Sequence, residues 1–273
     1  MSEAVPLSAN PQRQPAIFLP HGGGPCFFMD WTWGPADTWH ATQRFLESVA
    51  ASLPAPPKAL LVISGHWEEP AFTASAAAKP ELIFDYSGFP PHTYRLTWPA
   101  PGDPALAERV VGLLRKSGLP AAASFNRGYD HGVFVPLKVA FPKADIPVVT
   151  LSLNLSLDPA LHIAAGRAIA PLRDEGVLII ASGMSFHNLR VYLHPETPER
   201  ARAFDTWLTA AVESPAPERD ASLSKWREAP FAAYAHPREE HLMPLMVAAG
   251  AGGVAPGKRV FSGAKISAYR FDG

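Results

Sequence analysis

The sequence predicts a single α/β domain with a central mixed β-sheet flanked by helices. Between residues 15 and 190, short apolar runs typical of buried strands alternate with segments of helical periodicity, which is the pattern of a layered sheet. A chain of 273 residues is also long enough to bury one large core. We therefore assign one domain to residues 15–273. Residues 1–14 are polar and lack periodicity, so we expect them to form a flexible tail.

Three of the predicted strands end close to a histidine. The runs and their histidines are residues 16–20 with His21, residues 59–64 with His66, and residues 176–183 with His187. In α/β sheets, ligands bind in the crevice beyond the carboxyl ends of the strands. Three histidines delivered to that edge predict a metal site there.

The other elements follow from periodicity and from proline positions. We expect helices over residues 39–53, 104–117, 133–141, 159–173, 198–212, 221–228 and 237–247, and strands before residue 126, over 148–153 and over 258–270. In the last helix, Pro237 suits the first position, and Glu239 and Glu240 suit the first turn, where the helix dipole favours acidic side chains.

Composition narrows the classes of function and partner. The formal net charge is −1, so the chain offers no basic surface to nucleic acid or to anionic lipid. Cys26 is the only cysteine, which excludes an internal disulfide framework. No apolar run approaches the roughly 20 residues that span a bilayer, and no signal peptide opens the chain. We expect a cytoplasmic protein that binds a small molecule, as a monomer or a homodimer.

The type of residue at the predicted edge indicates the type of metal site. Neutral imidazole binds iron, zinc or copper, whereas the near-absence of cysteine argues against a structural zinc centre. An open catalytic site needs about three protein ligands and free positions for water or substrate. His21 and His66 are the strongest ligand candidates, and His131 and His241 have sequence contexts that suit the same crevice.

Short motifs spread along the chain resemble those of a known family. In order they are His21-Gly, Ser64-Gly-His66-Trp, Gly88-Phe-Pro, Pro99-Ala-Pro-Gly102, Asp130-His131-Gly132, Ser182-Gly183, His187-Asn-Leu-Arg190 and Glu240-His241-Leu-Met-Pro-Leu245. They resemble the class III extradiol ring-cleavage dioxygenases, and most of all the DOPA 4,5-dioxygenase branch. The triple glycine after His21 departs from the Gly-Ser-Pro usual there and leaves the histidine in place.

The resemblance implies an oxidoreductase whose single catalytic domain holds one non-haem metal ion, Fe(II) or Zn(II). It would bind a small aromatic diol, take O₂ as co-substrate, and open the ring beside the diol to a semialdehyde. By the same resemblance, His21, His66 and His241 are metal ligands. His187 is a further ligand or the base that takes a catechol proton, and His131 is an acid that contacts substrate or dioxygen.

The third ligand has alternatives in the sequence, because non-haem iron oxygenases commonly combine two histidines with one carboxylate. Glu239 and Glu240 directly precede His241. Consecutive helical residues point about 100° apart, so only one of the three can face the metal. We choose His241, because on a helix it shares a stripe with Leu245 and Ala248, while the glutamates suit an exposed first turn.

Two loops are expected to build the substrate pocket. Residues 26–33 and 84–94 are rich in aromatic side chains that can stack on a flat ring. His92, Tyr129 and Arg127 are candidates for polar contacts with the substrate.

Two other functions use the same residues. One is a zinc-dependent hydrolase or a non-catalytic metal-binding protein built on the same histidines. The other is a serine esterase, since residues 183–187 resemble an incomplete nucleophile elbow around Ser185. In that elbow His187 replaces the second glycine, and Asp205 and His236 are the only formal partners.

Overall fold

An eight-stranded mixed sheet runs through the centre of the computed structural model, which describes residues 13–273. The predicted tail falls almost entirely outside these residues. The strands are β1 (Ala16–Pro20), β2 (Ala59–Glu69), β3 (Phe72–Ser75), β4 (Ala121–Ser124), β5 (Val148–Asn154), β6 (Val177–Gly183), β7 (Lys258–Ser262) and β8 (Ser267–Phe271). Their spatial order is β4-β3-β5-β2-β6-β1-β8-β7. The predicted fold class, a single domain with a mixed sheet flanked by helices, is confirmed.

Helices cover both faces of the sheet. They are α1 (His40–Val49), α2 (Pro104–Lys116), α3 (His131–Ala140), α4 (Pro159–Ile169), α5 (Thr197–Val212), α6 (Ala216–Ser224), α7 (Ala232–Ala235) and α8 (Met243–Ala251). In β2, Leu61 and Ile63 face the core that includes α2, α4 and α8, whereas Leu60 and Val62 face the core that includes α1 and α3. Strand residues buried on both faces explain the continuous apolar runs in the sequence. None of the helices described here is long and apolar enough to cross a membrane.

The central strands β5, β2, β6 and β1 are parallel, so their carboxyl ends lie at one edge of the sheet. Strand β6 pairs with both β1 and β2, which makes the three histidine-bearing strands direct neighbours. The pairing of β2 with β5 shifts register between Ile63 and Glu68. Such an irregularity re-aims side chains at the end of a strand, and His66 lies within it.

Two C-terminal predictions need correction. The strand expected over residues 258–270 is a hairpin of β7 and β8, closed by the bond from the Gly263 amide to the Ile266 carbonyl (2.7 Å). The helix expected from Pro237 begins only at Met243, with Pro244 in its first turn. Strand β3 was not predicted, because it is only four residues long.

Residues 237–242 instead form a turn that crosses the ends of β2 and β6. The His241 carbonyl accepts a hydrogen bond from the Met184 amide (2.9 Å), directly beyond β6. A Cβ atom on Gly183 would lie 2.2 Å from that same carbonyl oxygen, so only glycine permits this close approach. The packing of this turn against the sheet therefore depends on a glycine at the end of β6.

We expect Gly183→Ala to lower the free energy of unfolding by about 1–3 kcal/mol, the usual cost of forcing extra atoms into a packed site. Either the turn at residues 237–242 or the end of β6 must move to accommodate the methyl group. Urea unfolding measures the effect.

The matched control is Gly112→Ala in α2, where a Cβ atom meets nothing within 4 Å. That variant is expected to be neutral or more stable by up to about 1 kcal/mol, because alanine favours the helix. Equal effects of the two substitutions would contradict the steric argument.

Candidate active site

A cavity of about 500 Å³ opens at the carboxyl edge of the parallel strands. Five histidines form one part of its lining, which we call its base, and the rest is mainly aromatic and aliphatic side chains, with Ser87 and residues 22–24. The histidines are His21, His66, His131, His187 and His241. All five were candidate site residues on the sequence alone, and the structure brings them together.

Each histidine reaches the cavity from a different element. His21 follows β1, and its amide donates to the Gly183 carbonyl (3.3 Å). His66 lies in the irregular part of β2, and His131 is the first residue of α3. His187 comes after β6, where its amide donates to the Ala235 carbonyl (3.0 Å). His241 lies in the turn before α8, so the helical stripe used to predict its direction does not exist, although its side chain does face the cavity.

The five rings form one continuous cluster. The Nε2 atoms of His21 and His66 lie 3.3 Å apart, and the His241 ring centroid is 5.2 Å from that of His21 and 4.7 Å from that of His66. The His187 ring stacks on His241 at 3.4 Å, and His131 lies 4.0 Å from His66 between ring centroids. Ligand atoms fall into two groups that could each hold a metal ion: His21, His66 and His131, and His187, Glu240 and His241.

Hydrogen bonds leave metal-binding nitrogens free. His21 Nδ1 donates to the Gly22 carbonyl (2.9 Å), and His241 Nδ1 donates to Glu240 Oε1 (2.8 Å). His241 Nε2 is buried and has no hydrogen-bond partner among the described residues. Histidine ligands usually donate their outer ring N–H in this way to a carbonyl or a carboxylate.

Distance and protonation also fit a metal ion. Two nitrogens at about 2.0–2.1 Å from one ion in tetrahedral geometry are about 3.3 Å apart, which matches the 3.3 Å between His21 and His66 Nε2. Burial lowers the pKa of His66 to about 3 and that of His187 to about 4. Burial and the neighbouring imidazoles hold the pKa of His21 and of His241 well below the usual value. These imidazoles are therefore neutral at pH 7, as metal ligands must be.

The two glutamates considered as the third ligand differ in position, and only Glu240 is close to the histidines. Glu239 pairs with Arg227 at 2.6 Å. Glu240 lies behind His241, on its Nδ1 atom, and its Oε1 atom is 3.7 Å from His187 Nδ1. The bond to Glu240 occupies His241 Nδ1 and leaves His241 Nε2 without a partner among the described residues.

Asp85 is a site residue that the sequence analysis missed. Its Oδ1 atom accepts hydrogen bonds from both the backbone amide (2.9 Å) and Nδ1 (2.8 Å) of His131. Burial opposes ionisation of Asp85, but the bonds from His131 outweigh it and lower the pKa of this carboxyl to about 2. The carboxylate fixes the His131 ring with its proton on Nδ1. Asp85 and His131 are 46 residues apart, and no spacing signal in the sequence connects them.

The predicted polar contacts with substrate are not at the cavity. Tyr129 is fully buried in the core, and its hydroxyl donates to the Val148 carbonyl (3.0 Å). His92 is exposed, and its Nε2 donates to the Phe28 carbonyl (3.0 Å). Arg127 is bound to the buried Asp130 carboxylate at 2.7 Å. Each of these side chains is engaged by the fold and none of the three lines the cavity, so their contact with substrate stays a prediction.

The esterase hypothesis has no geometric support. Ser185 is buried, and its Oγ accepts a hydrogen bond from the Ser267 amide (2.8 Å) instead of facing the cavity. His236 Nε2 donates to the carbonyl of Ser185 (3.0 Å), not to its hydroxyl, and Asp205 pairs with Arg259.

Several known proteins are similar to this chain in sequence or in fold. Residues 15–271 match the family described as the catalytic LigB subunit of aromatic ring-opening dioxygenase. A dioxygenase named tasH from Hapsidospora irregularis is 40% identical, over 87% of this chain and 78% of its own. A 4,5-DOPA dioxygenase extradiol from Beta vulgaris is 41% identical, over 78% of this chain and 80% of its own. The crystal structure of an uncharacterized protein from Escherichia coli K12 is 29% identical, with a TM-score of 0.75, and covers 95% of this chain and 100% of its own.

The lowered histidine pKa values predict acid sensitivity of the metal-free protein. Unfolded histidines have a pKa near 6.5, so the unfolded chain binds protons that folded His66 and His187 do not bind until about pH 3 and pH 4. This contribution to stability is fully present above pH 6.5 and is lost as the pH falls towards 3. Urea unfolding of chelator-treated protein at pH 7, 6 and 5 measures the loss.

His66→Gln should make the stability less dependent on pH over this range, because it removes one of the buried titrating groups. His40→Gln is the matched control, since His40 is exposed at the start of α1. The explanation fails if the His40 substitution reduces the pH dependence as much as the His66 substitution does.

Proposed function

Because the chain belongs to the family of the catalytic LigB subunit of aromatic ring-opening dioxygenases, in its DOPA dioxygenase-like branch, we propose that it opens catechol-type rings at this cavity by extradiol cleavage. The observation that carries the proposal is the cluster of five histidines at the base of an aromatic cavity, in which His241 Nε2 has no hydrogen-bond partner among the described residues. Neutral imidazoles at the base supply a metal site, and the wall supplies a surface for a flat ring.

His21, His66 and His241 are the proposed ligands of one non-haem metal ion, with His187 beside them. His21 Nδ1 donates to the Gly22 carbonyl, and His241 Nδ1 donates to Glu240. The Nε2 atoms of His21 and His66 face each other at 3.3 Å. When bound, Fe(II) would supply two functions, holding the diol oxygens of a catechol and activating dioxygen. Iron is proposed as the active metal because zinc has no redox chemistry.

His187 is the proposed base for a catechol proton. Its side chain is more exposed than that of His241, on which it stacks, and it lines the cavity. Burial lowers the pKa of His187 to about 4, which leaves the ring unprotonated and ready to accept a proton at neutral pH.

His131 is the proposed acid, and Asp85 is its positioning residue. Asp85 holds His131 Nδ1 at 2.8 Å, which directs the opposite edge of the ring away from this carboxylate. A carboxylate in this position also stabilises the imidazolium that His131 must form before it can donate a proton to the substrate.

A zinc-dependent hydrolase on the same histidines is the second function weighed, and it is not favoured. The family match covers residues 15–271 and is described as a ring-opening dioxygenase. The serine esterase is not favoured either, because the Ser185 hydroxyl is bound by the Ser267 amide.

Reconstitution with metal tests the function directly. Metal-free protein loaded anaerobically with Fe(II) should consume oxygen when air and a catechol are added, and should form a yellow ring-opened semialdehyde. The same protein loaded with Zn(II) should do neither. Absence of oxygen uptake with every catechol and Fe(II) would refute the proposed function, and hydrolysis supported by Zn(II) without oxygen would favour the hydrolase.

Substitution of the ligands should separate His241 from the glutamates. We expect His66→Ala and His241→Ala to lose stoichiometric iron, measured by atomic absorption, and to lose oxygen uptake. Glu240→Gln should weaken metal affinity by about 10–100-fold without abolishing loading at saturating iron, since it removes only an outer hydrogen bond.

Glu239→Gln is the matched control, because Glu239 pairs with Arg227 and should leave iron content unchanged. Loss of iron in Glu240→Gln together with normal loading in His241→Ala would instead make Glu240 the ligand.

Asp85→Asn should lower kcat by at least about 10-fold with iron content unchanged, because the neutral amide cannot stabilise a charged His131. The matched control is Asp145→Asn, at an exposed position. A rise in KM alone, or loss of iron, would contradict a role for Asp85 in proton transfer.

A further inference from the structure

We propose that the substrate of this chain is a catechol whose ring substituent is uncharged and apolar, a short alkyl or aryl group, and not an amino-acid or carboxylate side chain. The inference rests on the ring-cleaving function proposed above, and it specifies the substrate class of the same cavity. Three observations support it: the size of the cavity, the apolar character of its wall, and the absence of charged side chains from the described lining.

The cavity is larger than a catechol ring requires. A cavity of about 150 Å³ is enough to hold benzene, whereas this one measures about 500 Å³. A ring at the histidines therefore leaves most of the volume for a substituent. The chemistry of the remaining wall decides what that substituent is.

Apart from the histidines, the wall consists mainly of aromatic and aliphatic groups, together with Ser87, Tyr86, Tyr192 and the backbone of residues 22–24. Three tryptophans lie together on one side, with ring centroids of Trp31 at 5.3 Å from Trp33 and 5.6 Å from Trp39. Phe89 lies 4.9 Å from Trp33 and extends this surface, while Phe186 lines the cavity as well. Edge-to-face aromatic packing of this kind favours apolar ligand surface.

No lysine, arginine, aspartate or glutamate among residues 13–273 lines the cavity. Three cations near it, Arg127, Arg238 and Lys265, have partners within the fold. Arg127 binds the Asp130 carboxylate, and Arg238 binds Glu68 at 2.6 Å. Lys265 lies outside the wall, where its Nζ donates to the Tyr192 carbonyl and is 3.9 Å from the centroid of the Tyr192 ring.

A charged substituent would therefore lose water without gaining a partner. Burial of an unpaired carboxylate or ammonium group is strongly unfavourable. An amino-acid side chain carries both charges and is the less favoured substituent.

The mouth of the cavity continues the apolar surface. Trp33 is 50% exposed, Leu189 72% and Leu193 67%, and all three line the cavity. Large apolar side chains exposed together around a cavity typically mark a binding site. Trp33, Leu189 and Leu193 can therefore contact a substituent several carbons long at the point where it leaves the cavity.

A matched pair of substrates tests the inference: 4-propylcatechol and 3-(3,4-dihydroxyphenyl)propanoate. The two have the same number of carbons and differ in a terminal methyl or carboxylate group. With iron-loaded protein at pH 7, kcat/KM from oxygen uptake should be at least about 100-fold higher for propylcatechol. L-DOPA should be used no better than the propanoate.

A second measurement does not depend on metal or turnover. Catechols bound beside the three tryptophans should quench their fluorescence, so anaerobic titration of metal-free protein reports affinity directly. Propylcatechol should bind more tightly than the propanoate. Leu193→Arg adds a cation at the mouth. It should reduce the preference for propylcatechol over the propanoate, both in kcat/KM and in affinity.

Arg190→Ala is the control variant, because Arg190 is the exposed cation next to Leu189 on the same loop. In this variant the preference for propylcatechol over the propanoate should be unchanged, both in kcat/KM and in affinity. Equal or better use of the propanoate or of L-DOPA, or loss of the preference in Arg190→Ala, would overturn the inference and leave ring cleavage intact. No oxygen uptake with any of the three would refute the proposed function, while the binding ratio would still decide the preference for apolar substituents.

Discussion

The pairing of β6 with both β1 and β2 in parallel is the constraint on which the rest of the site depends. Parallel neighbours end at the same edge of a sheet, so residues that follow them in sequence meet in space although they are far apart in the chain. His21 and His66, 45 residues apart, thus bring their Nε2 atoms to within 3.3 Å. Buried imidazoles this close are neutral and repel one another once protonated, which suits them to a shared cation.

Acidic residues behind the histidines complete this arrangement. Glu240 holds the outer nitrogen of His241, and Asp85 holds that of His131. Each carboxylate fixes the tautomer and the direction of its ring, so the nitrogen facing the cavity is the unprotonated one. The histidines can therefore take different roles although they are of one residue type, with His241 suited to bind metal and His131 to transfer a proton.

The wall of the cavity differs from its base because it is mainly apolar. Curated relatives at about 40% identity include proteins named for DOPA, a substrate with two charges beside its ring. In this chain the cavity wall includes tryptophan, phenylalanine and leucine side chains, and Arg127 and Arg238 are paired within the fold. In the proposed function the histidines perform the chemistry common to the family and the wall selects the ring substituent, because different residues form the two parts.

The sequence by itself determined the fold class, the strands that carry His21, His66 and His187, and the edge where they meet, because buried parallel strands appear as continuous apolar runs. Other features were decided only by tertiary packing. His241 reaches the cavity through a turn that crosses Gly183, not through a helix, and Asp85 meets His131 across 46 residues. Tyr129 is likewise buried in the core although it precedes His131 by only two residues. Local periodicity specifies the direction of a side chain within its own element, but contacts between elements depend on how those elements pack.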